Sequence, residues 1–159
     1  MLASKLYSLL LLLPLILFIS SCGSDFKTDF PPPPPNAAFD EVFPPEIDGM
    51  KSNISRMMLE HPFDGYQADY GDNKIHIEGI LSPDKERADK YYKDVVVPQI
   101  DSLKNHTRGN YNGKWRGEGT DENGRKWIAW TNDRWVFVLN ASDAETMGKT
   151  IDAFKYISR

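Results

Sequence analysis

Three histidines are the side chains in this sequence that are best suited to metal binding or to proton transfer near neutral pH. His61 precedes a proline, His76 falls in a predicted strand, and His106 falls near the end of a predicted helix. None of them has a second ligand at the spacing of a known metal motif, and HExxH does not occur. The sequence also lacks a Gly-x-Ser-x-Gly elbow, a phosphate-binding P-loop and a dinucleotide fingerprint. We therefore expect no metal site, no cofactor and no assigned catalytic residue.

Two strand glutamates, Glu78 and Glu118, are the pair with which glycoside hydrolysis could be carried out. That reaction needs one carboxyl group as an acid and a second as a base or nucleophile. The sequence gives no distance between the two, and glutamates are common on a solvated face of a sheet. A hydrolase therefore stays as an alternative to a protein without enzymatic activity.

The single cysteine, Cys22, directly follows an apolar segment at the N-terminus. Lys5 precedes an apolar run from Leu9 to Ile19, which Pro14 interrupts. The run is too short to cross a bilayer as a helix, which takes about 20 residues. Its length and its flanks are typical of the hydrophobic region of a secretory signal peptide.

The four residues Ile19-Ser20-Ser21-Cys22 resemble the lipobox of bacterial lipoproteins. The resemblance implies cleavage before Cys22 by a type II signal peptidase, a diacylglycerol on its thiol and an acylated amino group. Because two or more acyl chains hold a protein durably on a bilayer, this lipid would be the membrane contact. Gly23 in the next position implies the outer membrane, on its periplasmic or surface side, in a Gram-negative cell. The alternative is a secreted protein with an incidental cysteine.

The charge of the chain argues against a nucleic-acid partner. The sequence has 19 basic and 23 acidic residues, and residues 1–21 contain one of the lysines and no acid. The remaining chain therefore has 18 basic and 23 acidic residues and a net charge of −5. Such an acidic body has no electrostatic attraction to a phosphate backbone or to anionic lipid.

Three regions follow from the composition: a signal peptide over 1–21, a lipidated tether over 22–45, and one domain over 46–159. Pro31–Pro35 favours polyproline II, so a fully stretched tether would span about 70 Å at about 3.1 Å per residue. The domain has no cysteine for a disulfide and must be stable through its apolar core. Its stretches FPPEIDGM and GRKWIAWTNDRWVFVL are similar in style to small lipoprotein domains of uncharacterised function.

Hydrophobic periodicity predicts the elements of this domain. A hairpin turns at Gly71-Asp72-Asn73, and a helix then runs from Ser82 to about Gly109 with a kink at Pro98. Segment 50–59 is either an edge strand or a short helix. A last helix begins at a capping box of Ser142 and Glu145. The predicted order β-β-α-β-β-β-α is an α+β fold, an antiparallel sheet of about five strands with two helices on one face. Its last three strands are Lys114–Thr120, Arg125–Trp130 and Arg134–Asn140.

Two tight turns, at Asn123-Gly124 and Asn132-Asp133, set the register that we expect between these last strands. They place Trp130 opposite both Gly117 and Trp135, beneath the helices. The opposite face is then a patch with an apolar centre and a polar rim, which is typical of binding surfaces. Alternatively, segment 50–59 folds over this face and buries it. The predicted patch consists of Trp127, Arg116, Glu118, Val136 and Val138.

The function that these features favour is a lipid-anchored module of the cell envelope without enzymatic activity. Its expected partners are the membrane, through the lipid on Cys22, and an envelope protein or glycan, through the patch around Trp127. The alternative is a small envelope hydrolase or carbohydrate-binding module that uses the face of Trp127 and Glu118.

Overall fold

A computed structural model of the chain describes residues 27–157. Within that range the chain forms an eight-stranded antiparallel sheet with the strand order β1-β2-β3-β4-β8-β7-β6-β5. Each half is a meander of four strands, and the two halves meet where β4 pairs with β8. The strands are β1 (Glu46–Ile47), β2 (Met50–Arg56), β3 (Asp64–Tyr70), β4 (Ile75–Leu81), β5 (Lys104–Tyr111), β6 (Lys114–Thr120), β7 (Lys126–Asn132) and β8 (Trp135–Ala141).

The two longer helical segments each follow one of the meanders and begin at a capping aspartate. Asp84 accepts a hydrogen bond from the backbone of Arg87, and Asp143 accepts one from the backbone of Thr146. These bonds satisfy amide groups that would otherwise have no partner in the first turn. Pro98 has no N–H to donate, and the chain forms a π-helical turn just before it. The helices are α1 (Phe39–Val42), α2 (Lys85–Tyr91), which continues through the π-helical turn (Tyr92–Val96) into α3 (Val97–Asp101), and α4 (Ala144–Ala153).

The two faces of the sheet carry separate cores. The segment α2–α3 packs on one face, where Tyr92 and Ile100 lie against Ala129 and Val136. The helix α4 packs on the other face, in the larger core, whose members include Trp130, Phe137, Leu139, Met147 and Phe154.

The predicted sheet of about five strands with two helices on one face is therefore wrong. Residues 104–109, expected at the end of a helix, belong to β5, and segment 50–59 contributes β2. Sequence periodicity could not identify β5, because this edge strand is almost entirely exposed and shows no alternation of apolar residues. Met50–Arg56 lies within the sheet and does not fold over the face of Trp127. Only the end of the segment, with Met57 and Leu59, packs against the core on that face, where α2–α3 also packs.

Residues 27–43, here called the N-terminal strap, pack on the face that carries α4. Phe30 is 6% exposed and belongs to the larger core, as Val42 and Phe43 do. The Lys114 ammonium donates a 2.7 Å hydrogen bond to the carbonyl of Phe30 and lies 3.8 Å from the centre of its ring. The strap lies within the predicted tether of residues 22–45, but Phe30 and Val42 are members of the core.

Candidate functional site

The predicted patch is divided between two faces of the sheet. Residues that pair directly across antiparallel strands share a face, and Trp127 pairs with Gly119. Arg116 and Glu118 therefore lie on the opposite face from Trp127. Arg116 pairs with Trp130 and donates a 3.1 Å hydrogen bond to Glu118 there.

The glycines of β6 show which face is turned toward the helix. A methyl group added at Gly117 would come within 2.8 Å of the Tyr92 hydroxyl, and one at Gly119 within 2.7 Å of Leu103. Glycine is thus needed here so that α2–α3 and Leu103, two residues beyond the end of α3, can approach the sheet. The side chain of Glu118, between these two glycines, consequently points to the other face.

The connection between β6 and β7 explains the error in register. We expected a two-residue turn at Asn123-Gly124, but the loop comprises residues 121–125. The Asp121 carboxylate accepts hydrogen bonds from the backbone amides of Asn123 and Arg125 at 2.9 and 3.0 Å. This longer loop shifts the pairing by one residue, which reverses the face of every side chain on β6.

The turn between β7 and β8 is also displaced, but there the faces are as predicted. Trp130 pairs with Phe137 instead of Trp135, a shift of two residues. Val136 and Val138 therefore share the face of Trp127, yet they are 0% and 3% exposed because α2–α3 covers them. They line the core beneath that helix, and no partner can touch them in this conformation.

Beyond the edge of α2–α3, a polar row crosses the sheet beside Trp127. Asp69 pairs with His76, His76 with Asn140, and Asn140 with Trp127, so the four residues stand side by side on β3, β4, β8 and β7. Asp69, His76 and Trp127 are partly exposed, and Asn140 is buried. We call these four residues the transverse row.

Two carboxylates hold the imidazole of His76. Its Nδ1 lies 2.6 Å from Asp69, and its Nε2 lies 3.2 Å from Glu78. The hydrogen bond to Glu78, supported by that to Asp69, raises the pKa of His76 despite the opposing effect of burial. Protonated His76 donates to both carboxylates, so the three side chains together carry one negative charge.

The other end of the transverse row is fixed by an arginine and an aspartate. Arg125 donates from Nε and from a terminal nitrogen to the side-chain oxygen of Asn140. The indole N–H of Trp127 donates a long bond of 3.4 Å to Asp121. The row thus combines an aromatic ring, an amide and charged groups of both signs, held by neighbours on the same face.

The chemistry available here is recognition by hydrogen bonds and stacking. Glu78 lies on the face of Trp127 and Glu118 on the other, so this pair cannot act on the two sides of one glycosidic bond. Among residues 27–157, no three His, Cys, Asp or Glu side chains are arranged to hold a metal ion. Both ring nitrogens of His76 already face carboxylates.

Sequence reasoning found Trp127 but missed its neighbours, including His76, Asn140 and Arg125. Each belongs to a different strand or loop, and they meet only through the register of four strands. To place these residues together from the sequence, one would need to know that the hairpin of β3 and β4 lies beside the hairpin of β7 and β8. Nothing in the sequence shows that β4 pairs with β8. Cys22 lies outside the described residues, so its lipid remains a prediction. No helix within residues 27–157 has both the length and the apolar character needed to cross a membrane.

Comparison with known proteins supports the fold alone. No family model and no curated protein matches the chain. A crystal structure of a GTP binding regulator from Thermotoga maritima is similar, with a TM-score of 0.55 and 10% sequence identity. The similarity covers 80% of this chain and 94% of that protein. At this identity the likeness shows that the two chains share an architecture.

Proposed function

We propose that the chain is a lipid-anchored binding module of the cell envelope, without enzymatic activity, which contacts its partner through the transverse row. The anchor rests on the resemblance of residues 19–22 to a lipobox, together with the signal-peptide pattern before them. The contact surface rests on the sheet face described above.

The observation that carries the contact surface is a tryptophan left partly exposed beside polar side chains that are already held in place. Trp127 packs on the border of the core under α2–α3, while Asn140 and His76 are fixed by their own hydrogen bonds. Side chains that are ordered before binding lose little entropy when a partner arrives. Tryptophan is also over-represented among residues that dominate binding energy.

Crosslinking in the native membrane tests the position of this surface. A photoreactive residue at Trp127 should give an adduct of one defined mass, and the same group at Glu118, on the opposite face, should not. The substitution Asn140→Ala should lower the yield at Trp127, because it removes one member of the row. Equal adducts from both positions, or no adduct at Trp127, would contradict the assignment.

A glycan is the second candidate for the partner, and the composition of the row favours it. Sugars are bound by an aromatic ring that stacks on their apolar face and by amides and carboxylates that bond their hydroxyl groups. Trp127 and Asn140 stand side by side, and Asp69 follows beyond His76 in the same row, so the row supplies all three kinds of group. Titration with soluble cell-wall glycan fragments should change the indole fluorescence of the intact protein and leave that of Trp127→Phe unchanged. A protein partner would give the crosslink without this response.

A further inference from the structure

The N-terminal strap fixes where the chain enters the body. Asn112, in the turn between β5 and β6, donates a 3.0 Å hydrogen bond to the hydroxyl of Thr28. Asn132, at the end of β7, is 1% exposed and donates a 2.7 Å bond to the carbonyl of Pro31. Together with the Lys114 bond to Phe30, these contacts hold the strap at one end of the sheet. We call this the proximal end; residues 112–113 and 133–134 form its turns.

The opposite end of the sheet, here called the distal end, carries the turns at residues 71–74 and 121–125. Strands of seven residues separate the two ends by about 20 Å, at about 3.3 Å per residue. The transverse row lies next to the distal end, since Asp69 is the penultimate residue of β3 and Trp127 is the second residue of β7.

A short covalent link joins Cys22 to the held part of the strap. Thr28 lies six residues after Cys22 in the sequence, so only six Cα–Cα steps join the two. Their maximal reach is about 20–22 Å, at about 3.3–3.6 Å per residue. This is far less than the span of about 70 Å that a free tether to residue 45 would have.

We propose that the strap orients the body on the bilayer, with the proximal end toward the lipid and the transverse row directed away from it. This inference rests on the proposed lipid anchor at Cys22. A bilayer attached through a link of about 20 Å can touch the end of the sheet where the link begins, whereas the distal end lies a further strand length away.

An exposed apolar side chain at the proximal end supports this orientation. Met58 lies in the loop after β2, which opens at the proximal end, and its side chain is wholly exposed to solvent. Transfer of this methionine side chain from water into the interfacial layer of a membrane is favourable. The partner would then meet the transverse row about 40 Å from the lipid surface, when the link is fully extended.

Energy transfer from two labelled positions to acceptor lipids tests the orientation. Cys22 is the only cysteine, so in the lipidated full chain a second cysteine is the one free thiol. A donor at Asn110→Cys reports the proximal end, and a donor at Glu122→Cys reports the distal end; both side chains are exposed. The protein is reconstituted into phosphatidylcholine vesicles that carry an acceptor on their headgroups.

Transfer should be clearly more efficient from Asn110→Cys, because the two positions differ by about 20 Å in height. A 20-residue Gly/Ser insertion between Ser24 and Asp25 lengthens the link without altering the strap, and it should make the two efficiencies similar. Equal or reversed efficiencies without the insertion would overturn the orientation. Failure of the protein to float with the vesicles would instead overturn the lipid anchor, and the orientation with it.

Discussion

Phe30→Ala is expected to destabilise the protein although it lies only eight residues after Cys22. Phe30 is 6% exposed, and its ring packs in the larger core beneath the Lys114 ammonium. Removing a fully buried phenylalanine costs about 3–5 kcal/mol in a rigid core. Pro32, two residues after Phe30 on the same strap, is exposed, so this part of the strap lies at the surface and can move to close part of the cavity. The transfer free energy alone, about 2–3 kcal/mol, is therefore the expected loss.

Urea unfolding of the chain from Gly23 onward measures this loss through the fluorescence of its four tryptophans. A loss of about 2–3 kcal/mol lowers the midpoint by about 0.7–3 M, at slopes of about 1–3 kcal/mol/M. Pro32→Ala is the matched control on the same strap, and it should change the free energy of unfolding by less than about 0.5 kcal/mol. A loss at Phe30→Ala no larger than that of the control would refute the strap as part of the fold.

Three further outcomes follow from other contacts. Gly117→Ala should lower the free energy of unfolding by about 1–3 kcal/mol, because the added methyl group would meet the Tyr92 hydroxyl at 2.8 Å. In the double variant with Tyr92→Phe, urea unfolding should show a loss smaller than the sum of the two single losses. Because the pKa of His76 is raised in the folded protein, its protonated ring stabilises the fold, and this contribution is fully present below pH 6.5. The contribution should disappear as the pH rises through the folded-state pKa. His76→Gln should abolish this part of the pH dependence of the urea midpoint. Trp127→Ala should reduce the thermal midpoint less than Trp130→Ala, because Trp130 is 0% exposed and donates to the carbonyl of Tyr156. Equal shifts of the thermal midpoint would show that Trp127 is a core residue.

Local patterns were sufficient for several elements of this fold. β6 spans Lys114–Thr120 as predicted, because glycines and turn residues bound it on both sides. Trp130 and Trp135 share a buried face as expected, since alternation within β7 and β8 sets the direction of their side chains and a register shift of two residues preserves it. The beginning of each long helical segment is predicted to within two residues, but the capping residues are Asp84 and Asp143 instead of the expected Ser82 and Ser142.

The remaining features depend on contacts between distant parts of the chain. Lys114 and Asn132 hold the strap across 84 and 101 residues of sequence, and no local periodicity indicates such a contact. The face on which a helix packs depends on the path of its connection over the sheet, and the two helices here pass to opposite faces. The composition of the transverse row depends on the pairing of β4 with β8, which joins strands more than 50 residues apart.

The register of β6 shows how the length of a single loop determines which side chains share a face of the sheet. Asn123-Gly124 is typical of a two-residue hairpin turn, but the Asp121 side chain stabilises a longer loop by accepting two backbone hydrogen bonds. The shift by one residue moved Arg116 and Glu118 away from Trp127 and left Gly117 facing the helix.

Mass spectrometry of the N-terminal tryptic peptide tests the central claim most directly. In the protein extracted from its own membrane, the first peptide should begin at Cys22, end at Lys27 and carry the mass of a diacylglycerol and an amide-linked acyl chain. Detection of an unmodified Cys22 within the peptide 6–27, or of a mature chain that begins at another residue, would contradict the lipid anchor on which the proposed function rests.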